Sequence, residues 1–478
     1  MTNIADSRMP VMDPEGARAH LTDSKDFSPE QKKHLRQAIM GSALGNAVEW
    51  FDYAVYGYLA VYMSQVFFGG DQGGKGLGLF YTFVILALSF FVRPLGGLVL
   101  GPIGDRIGRQ KVLVFTITMM TLATAAIGIL PTFSQVSYLA PLLLLLCRLV
   151  QGFSTGGEYG GAAVFMAESA PDRRRGFYGS FLEFATLAGT IAGASLCTIL
   201  ILVVGDGGML AGWWRLPFLL TLPLGLTALW IRTRLKEPEV FTEAAAKHET
   251  SKRPFLDLFR YNWRQITILT GFVVLLNVAY YLILVYMPSF LSKTLGHNTA
   301  QSTLTLVVIM ILMMCVINPI GALSDRIGRK PLLLVSAVGY ILLAVPCFAL
   351  ITSANVALQI LGLAILGLLL VILMGSVSST LPALFPTRVR YSGFAIGYNV
   401  STAIFGGTAA GINEWLVVQT GSNLIPGWYL VAAGIIGLVS ILCMPESAQC
   451  TLRGERIPGS SSAQFRAFRR RQKLEERG

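Results

Sequence analysis

The segments Gly101-Pro-Ile-Gly-Asp-Arg-Ile-Gly-Arg-Gln110 and Gly321-Ala-Leu-Ser-Asp-Arg-Ile-Gly-Arg-Lys330 are two copies of one pattern in a chain of 478 residues. Each copy connects two long apolar stretches, and its glycine, Gly108 or Gly328, suits a tight turn between helices because glycine tolerates backbone angles that other residues avoid. Internal repeats of this size are typical of proteins built from two similar halves. The repeat therefore predicts two pseudo-symmetric halves.

Apolar stretches long enough to cross a bilayer, which takes about 20 residues, recur along the whole chain. The sequence is 53% hydrophobic and only 13% charged, whereas soluble domains carry about 25% charged residues. The twelve stretches lie at 38–68, 77–103, 111–131, 138–169, 176–204, 212–231, 265–292, 301–323, 331–351, 355–385, 391–419 and 425–444. These features predict an all-α membrane protein with twelve transmembrane helices in two six-helix bundles.

The longest basic connection, residues 232–264, separates six stretches from six. It divides the chain into an N-terminal arm (1–37), a first bundle (38–231), a linker (232–264), a second bundle (265–444) and a basic tail (445–478). Lysines and arginines are concentrated in alternate connections, which the positive-inside rule assigns to the cytoplasm. We expect a multi-pass protein of the bacterial cytoplasmic (inner) membrane with both termini cytoplasmic, and a short surface helix at 28–36.

Several other classes of protein are not supported by the sequence. The net charge of +12 lies in the connections on one side, which does not indicate nucleic-acid binding. The six cysteines have no metal-ligand spacing, and the four histidines lie in the arm or in connections. There is no P-loop and no nucleophile–base pattern. We therefore predict no cofactor, no metal and no enzymatic activity.

The first half carries several ionisable residues inside its apolar stretches. Glu49 and Asp52 are three positions apart and share a helix face. A carboxylate at mid-membrane costs about 2.5–3.5 kcal/mol on insertion scales, so it is expected to be paired or functional. Arg148 in the fourth stretch either pairs with one of them or binds an anionic substrate, and Gln151 follows on its face. The proton-coupling candidates are Glu49, Asp52, Glu158 and Glu183.

The repeated motif and its neighbours are candidates for a gate. Asp105 and Asp325 can cap the next helix or pair with arginines across the interface between the halves, and such pairs would hold one conformation closed. The alternative is that the motif arginines only set the membrane orientation. The gating candidates are Arg93, Asp105, Arg106, Arg109, Glu168, Asp325, Arg326 and Arg329.

The second half offers neutral polar and aromatic side chains instead of charges. Aromatic faces attract quaternary ammonium groups by about 0.5–2 kcal/mol each, and Trp50, Tyr53, Tyr56, Tyr280 and Tyr281 could form such a surface. The alternative is that these rings only pack. The substrate-binding candidates are Asn46, Tyr53, Tyr56, Arg148, Gln151, Asn277, Tyr280 and Tyr281.

These motifs resemble the major facilitator superfamily, whose signature connects its second and third helices, and within it the metabolite:proton symporter branch. The segments that carry this resemblance are Gly45-Asn-Ala-Val-Glu-Trp-Phe-Asp-Tyr53, Arg93-Pro-Leu-Gly-Gly97, Gln151-Gly-Phe-Ser-Thr-Gly-Gly-Glu-Tyr159 and Pro171-Asp-Arg-Arg-Arg-Gly-Phe177. The segments 277–290 and 379–392 resemble the proline/betaine osmolyte permeases. The segment Ala403-Ile-Phe-Gly-Gly407 is closer to dicarboxylate and citrate members.

The resemblance implies a proton-coupled symporter that imports a small carboxylate-bearing solute, first of all a zwitterionic osmolyte such as proline or glycine betaine. Its partners would be that solute, protons and the lipid bilayer, and we expect a monomer. Symport of a di- or tricarboxylate (2-oxoglutarate or citrate) or of shikimate is the alternative. A channel or a substrate sensor is a third, less favoured class. A channel would not need the duplicated gating motif, and a sensor would need an attached signalling domain.

Overall fold

All the regular structure found in the described part of the chain is helical. A computed structural model describes residues 21–69, 77–246, 254–291 and 299–453. The predicted N-terminal arm, the linker and the basic tail therefore lie partly outside the described residues. The first half contains α1 (Pro29–Tyr58), α2 (Ala60–Phe68), α3 (Leu77–Ile107), α4 (Arg109–Ile129), α5 (Phe133–Val136), α6 (Leu139–Ser169), α7 (Arg175–Gly208) and α8 (Arg215–Thr233).

Two short helices, α9 (Glu239–Ala246) and α10 (Pro254–Tyr261), lead to the second half. The second half contains α11 (Trp263–Tyr280), α12 (Met287–Ser289), α13 (Thr299–Ile327), α14 (Arg329–Ile351), α15 (Val356–Thr380), α16 (Arg390–Ser401), α17 (Gly407–Thr420) and α18 (Ile425–Cys443). Wider π-helical turns join α7 to α8, α11 to α12 and α16 to α17, at Met209–Trp213, Tyr281–Tyr286 and Thr402–Gly406.

These helices form the twelve predicted spans. Among the described residues, ten helices are long and apolar enough to cross a membrane. The remaining two spans are interrupted: α1 and α2 meet at Leu59 in the first span, and the π turn at 402–406 divides the eleventh. The predicted fold class is confirmed.

The first span begins earlier than the sequence suggested. We expected a separate surface helix at 28–36, but α1 runs without a break from Pro29 to Tyr58. Ser28 caps it: the Ser28 hydroxyl accepts from the Gln31 N–H, and the Gln31 side chain accepts from the Ser28 N–H. This reciprocal capping box stabilises the helix start, so no break is needed before the membrane segment.

The repeated motif is tighter than expected. Its helices were predicted to end at 103 and 323, but α3 continues to Ile107 and α13 to Ile327, and a single glycine separates each from the next helix. Gly108 has φ of 111° and Gly328 has φ of 103°, angles that favour glycine. The glycine requirement is therefore confirmed, and the predicted boundaries of these connections are wrong.

The helices that follow the motif are capped by glutamates from distant segments. Glu237 accepts from the N–H groups of Arg109 and Gln110 at 3.0 and 2.9 Å. Glu446 does the same for Arg329 and Lys330 at 3.1 and 3.0 Å. Burial raises the pKa of the Glu237 carboxyl, and the two N–H donors oppose that rise. A negative charge at a helix N-terminus is favourable because the N–H groups there lack partners.

Within each half the long helices pack side by side, with α1 on α7, α3 on α6 and α4 on α8 in the first half. The two halves contact each other mainly through α7 against α13 and α15, and through α3 against α16. Glycines allow the close approach of α3 and α6: a Cβ added to Gly156 would lie 2.1 Å from the backbone oxygen of Arg93. This contact fixes the position of Arg93 relative to α6.

We predict that Gly108→Ala destabilises the protein. The alanine Cβ would lie 2.3 Å from Glu237 Oε1, and an alanine at this backbone angle carries strain of about 1–3 kcal/mol. Thermal unfolding of the purified protein in detergent should show a lower midpoint. Gly411→Ala is the matched control, because a Cβ at Gly411 meets open space. Equal midpoints for the two variants would contradict the prediction.

Candidate functional site

The two motif aspartates cap helices of the opposite half. Asp105 of α3 accepts from the N–H groups of Tyr391 and Ser392, in the first turn of α16, at 3.2 and 2.9 Å. Asp325 of α13 accepts from the N–H groups of Gly176 and Phe177, in the first turn of α7, at 2.8 and 2.9 Å. The sequence offered two roles for these aspartates, capping the next helix or pairing with arginines across the interface. In the structure they act across the interface, but as helix caps that join the two halves. The next helices are capped by Glu237 and Glu446 instead.

A buried ion cluster lies beside these caps. Glu168 of α6 pairs with Arg109 of α4 at 3.2 Å and with Arg390 of α16 at 2.6 Å. The Arg109 guanidinium also donates to the backbone oxygen of Thr387 in the second half at 3.0 Å. The motif arginines pair with the motif aspartates as well, Arg109 with Asp105 and Arg329 with Asp325. Arg106 and Arg326 are exposed.

The segment after α18 covers the same end of the bundle. The backbone oxygen of Cys450 accepts from Arg175 in the first half, and that of Leu452 accepts from Arg390 in the second. Together with the aspartate caps and the Glu168 cluster, these bonds close the end at which residues 101–110 and 321–330 lie, which we call the motif end.

A small cavity lies between the halves. Helices α1, α3, α6 and α7 line it from one side, and α11, α15, α16 and two π turns line it from the other. Its lining residues are Trp50, Arg93, Tyr159, Glu183, Thr186, Leu276, Asn277, Tyr280, Tyr281, Met374, Tyr398 and Thr402. Arg93 and Glu183 are the only charged residues among them.

Arg93 occupies one wall of the cavity and is only 2% exposed. Its guanidinium carbon lies 4.3 and 4.7 Å from the ring centroids of Phe90 and Tyr53. Its Nη2 atom is 3.8 Å from Glu49 Oε1, too long for a hydrogen bond. Neither Nε nor Nη2 has a hydrogen-bond partner. A buried cation with unused donors is costly, so it is a natural site for an anionic group.

Aromatic rings form much of the remaining wall. Trp50 packs on Tyr280 with ring centroids 5.0 Å apart, and Tyr159 stacks on Tyr398 at 4.4 Å, so both pairs join the two halves. The Tyr159 hydroxyl donates to Glu183. Asn277 is held by a hydrogen bond to Thr402 at 3.0 Å. The cavity thus combines one cation, one carboxylate and several aromatic faces.

Of the alternatives offered for Arg148, the structure shows pairing with Asp52 at 2.7 Å, and both residues are fully buried. Gln151 donates to Asp52 at 3.2 Å, and the Tyr56 ring lies 3.7 Å from the guanidinium carbon. None of these four side chains lines the cavity. The predicted pairing is therefore present, and Arg148, Gln151 and Tyr56 lie in a packed polar cluster of the first half.

Two further candidates also lie outside the cavity wall. Glu158 accepts two hydrogen bonds from Arg232 and one from Thr116. Asn46 donates to the backbone oxygen of Leu182 and to Thr186 in α7. From the sequence, Arg232 is the first basic residue of the predicted linker. In the structure it is a buried partner of Glu158, at the end of an apolar stretch. Within the described residues, no group of His, Cys, Asp or Glu is arranged to hold a metal ion.

The cavity also contains residues that sequence analysis did not select. Tyr159 and Tyr398 were missed because a tyrosine in an apolar stretch is indistinguishable from a packing residue. The position of Tyr159 directly after Glu158, within a run of glycines, was the only signal that could have singled it out. Nothing in the sequence around Thr186 and Thr402 indicates that these residues line the cavity.

We predict different stabilities for Asp52→Asn and Glu49→Gln. Asp52→Asn leaves the fully buried Arg148 without its counter-charge, and breaking a buried ion pair costs about 3–5 kcal/mol. Glu49 accepts no hydrogen bond at Oε2 and lies farther from its arginine, so the isosteric Glu49→Gln should change the stability of the protein little. Thermal unfolding in detergent measures the stability of both variants. A larger drop in the unfolding midpoint for Glu49→Gln than for Asp52→Asn would contradict the view that Asp52 holds the tighter ion pair.

Comparisons with known proteins show the family of the chain. A family model described as the Major Facilitator Superfamily matches residues 42–412. The glycine betaine/proline/ectoine/pipecolic acid transporter OusA of Dickeya dadantii is 42% identical over 430 residues, 88% of this chain and 85% of that protein. The proline/betaine transporter of Salmonella typhimurium is 40% identical over 440 residues, 90% of this chain and 87% of that protein.

The fold is also found in solved structures. The proton:xylose symporter XylE bound to 6-bromo-6-deoxy-D-glucose matches with a TM-score of 0.71 at 18% sequence identity, covering 88% of this chain and 98% of that one. The two relatives named above are transporters, not enzymes. From the matched family model, the relatives and the shared twelve-helix fold, we conclude that this chain belongs to the major facilitator superfamily of membrane transporters.

Proposed function

We propose that this protein is a proton-coupled symporter that imports a small zwitterionic osmolyte, with glycine betaine and proline as the first candidates. The observation that carries the proposal is the cavity between the halves, where Arg93 and Glu183 provide opposite charges and aromatic rings line the wall. The relatives named as transporters of glycine betaine and proline support the same substrate class.

The carboxylate of the solute would bind Arg93. This guanidinium has two nitrogen atoms without hydrogen-bond partners, and arginine can donate two parallel hydrogen bonds to one carboxylate. The rings of Phe90 and Tyr53 hold the guanidinium in place. Binding would thus satisfy donors that are otherwise buried and unused.

The cationic end of the solute would face the aromatic rings and Glu183. Trp50, Tyr280, Tyr159 and Tyr398 present aromatic faces that attract a quaternary or secondary ammonium group, each by about 0.5–2 kcal/mol. The hydrogen bond from Tyr159 fixes the Glu183 carboxylate in the cavity wall. A zwitterion therefore meets a complementary charge at each end.

A di- or tricarboxylate suits this cavity less well. Its second carboxylate would find no second cation among the lining residues and would approach Glu183, and like charges at close range are unfavourable in a poorly hydrated site. The segment 403–407, which resembles dicarboxylate members, lies in and beside the π turn next to Thr402. It contributes no charge to the cavity.

The motif end would be the cytoplasmic gate. We propose that residues 38–231 and 265–444 move as two bodies connected by the linker 232–264, in the inner membrane, with both termini cytoplasmic and with the protein as a monomer. The caps by Asp105 and Asp325 and the Glu168 cluster would hold the closed state and break when the cytoplasmic side opens. The exposed Arg106 and Arg326 would serve as positive-inside signals.

We expect proteoliposomes containing the protein to accumulate labelled glycine betaine and proline when the outside is acidified, because protons then drive uptake. A protonophore should abolish accumulation. Unlabelled betaine and proline should compete, whereas 2-oxoglutarate, citrate and shikimate should not. Accumulation that persists without a proton gradient would refute the coupling, and competition by citrate or 2-oxoglutarate alone would refute the zwitterion assignment.

A pair of tryptophan variants makes this test specific for the cavity. Trp50→Leu should weaken betaine competition about fivefold or more, because it removes one aromatic face. Trp213→Leu is the matched control, since Trp213 is 51% exposed and does not line the cavity. Equal effects of both variants would argue against an aromatic site.

We predict that Glu168→Gln opens the motif end more often. The substitution removes the charge shared by Arg109 and Arg390, one from each half. Spin labels at positions 107 and 327, in a background without the native cysteines, report the separation of the halves by pulsed electron resonance. The long-distance population should increase in Glu168→Gln and stay unchanged in the control Glu414→Gln, whose carboxylate accepts from Tyr286 and pairs with no residue of the motif end. An unchanged distribution in Glu168→Gln would contradict the gating role.

A further inference from the structure

Glu49 differs from Asp52 and Glu158, two other buried acidic residues of the first half that face arginines. Asp52 is bonded to Arg148 at 2.7 Å and to Gln151, and Glu158 is bonded twice to Arg232. Glu49 is 1% exposed, yet its Oε2 atom has no partner and its Oε1 atom is 3.8 Å from Arg93. A buried carboxylate held this loosely is poorly compensated.

Arg93, the counter-charge of Glu49, is also the cation in the cavity wall. Glu49 itself does not line the cavity but lies 3.8 Å from the guanidinium. An anion that binds Arg93 from the cavity therefore competes with Glu49 for the same positive charge. The two sites are coupled through one side chain.

We propose that Arg93 exchanges partners during transport: it pairs with Glu49 when the cavity is empty, and the carboxylate of the solute takes it over, so that Glu49 then binds the transported proton. The inference rests on the proposed function, because it needs a carboxylate-bearing solute. The proton comes from water that reaches the cavity before the solute closes it.

The other charges near Glu49 do not provide a substitute partner. Glu158 on α6 and Arg232 on α8 are bonded to each other, and Asp52 on α1 itself is paired with Arg148. On α7, Glu183 accepts the hydrogen bond of Tyr159. The residue of α11 that packs on the neighbouring Trp50 is the uncharged Tyr280. Once Arg93 is engaged by the solute, protonation is the remaining way to neutralise Glu49.

Partner exchange explains how binding of the solute and of the proton can be coupled. If the solute strengthens proton binding, then the proton must strengthen solute binding by the same factor, because linkage is reciprocal. In the loaded state the solute carboxylate neutralises Arg93 and the proton neutralises Glu49. No unpaired charge is left at this pair to oppose reorientation through the membrane.

The test measures proton uptake when the purified protein binds glycine betaine. Titration calorimetry in two buffers of different ionisation enthalpy gives the number of protons taken up. The wild type should take up about one proton per betaine, and its Kd should rise by up to about tenfold per pH unit, as linkage to one proton requires. Glu49→Gln should still bind betaine, without proton uptake and with a Kd independent of pH.

Two controls show whether proton uptake requires both Glu49 and the carboxylate of the solute. Glu414→Gln, at a carboxylate that accepts from Tyr286 and does not line the cavity, should keep the proton uptake of the wild type. Choline, which has no carboxylate to engage Arg93, should bind the wild type without proton uptake. This measurement uses the wild type only, so it does not depend on the folding of a variant. A wild type that binds neither betaine nor proline would refute the proposed function instead.

The partner exchange is overturned by any of three results. These are proton uptake by Glu49→Gln equal to that of the wild type, a wild-type Kd for betaine that does not change with pH, or proton uptake on binding choline equal to that on binding betaine.

Discussion

A charge buried in a bundle that spans a membrane must be neutralised by a partner, because neither lipid nor protein interior solvates it. This constraint organises the first half of the protein. Asp52 with Arg148 and Glu158 with Arg232 are close pairs that bind helices together. The pair of Glu49 and Arg93 is loose, and Arg93 lines the cavity. Here the constraint is met only weakly, which is why we propose that Arg93 changes partners.

The repeat of the motif has a structural consequence that is visible only between the halves. Each motif aspartate caps a helix of the opposite half, Asp105 on α16 and Asp325 on α7. The two caps are equivalent by pseudo-symmetry and close the same end of the bundle. Hydrogen bonds between a carboxylate and helix N–H groups are charge-assisted, yet water can replace them when the halves separate, which suits a gate.

The cavity combines contributions that neither half supplies alone. The first half provides the two charges, Arg93 and Glu183, while the second provides Tyr280, Tyr281 and Tyr398. Stacking of Tyr159 on Tyr398 and the tilted contact of Trp50 with Tyr280 connect the halves at the level of the cavity. Because the rings that would contact the solute also hold the halves together, solute binding in the proposed site would be coupled to the separation of the halves.

The sequence by itself determined the twelve spans and the two halves, because length and hydropathy are local properties of the chain. For Arg148 the cost of buried charge left two alternatives, a carboxylate of the first helix or an anionic substrate, and the structure shows the first. The sequence did not determine where the helices on either side of the motif end and begin. A single glycine at positive φ is enough to make the turn, so the connection is shorter than the sequence pattern suggests. Only the tertiary structure decided that Arg148 lies outside the cavity while Arg93 lines it. Two arginines in apolar stretches look alike in sequence, and the packing of α3 against α6 and α16 sets which one faces the space between the halves.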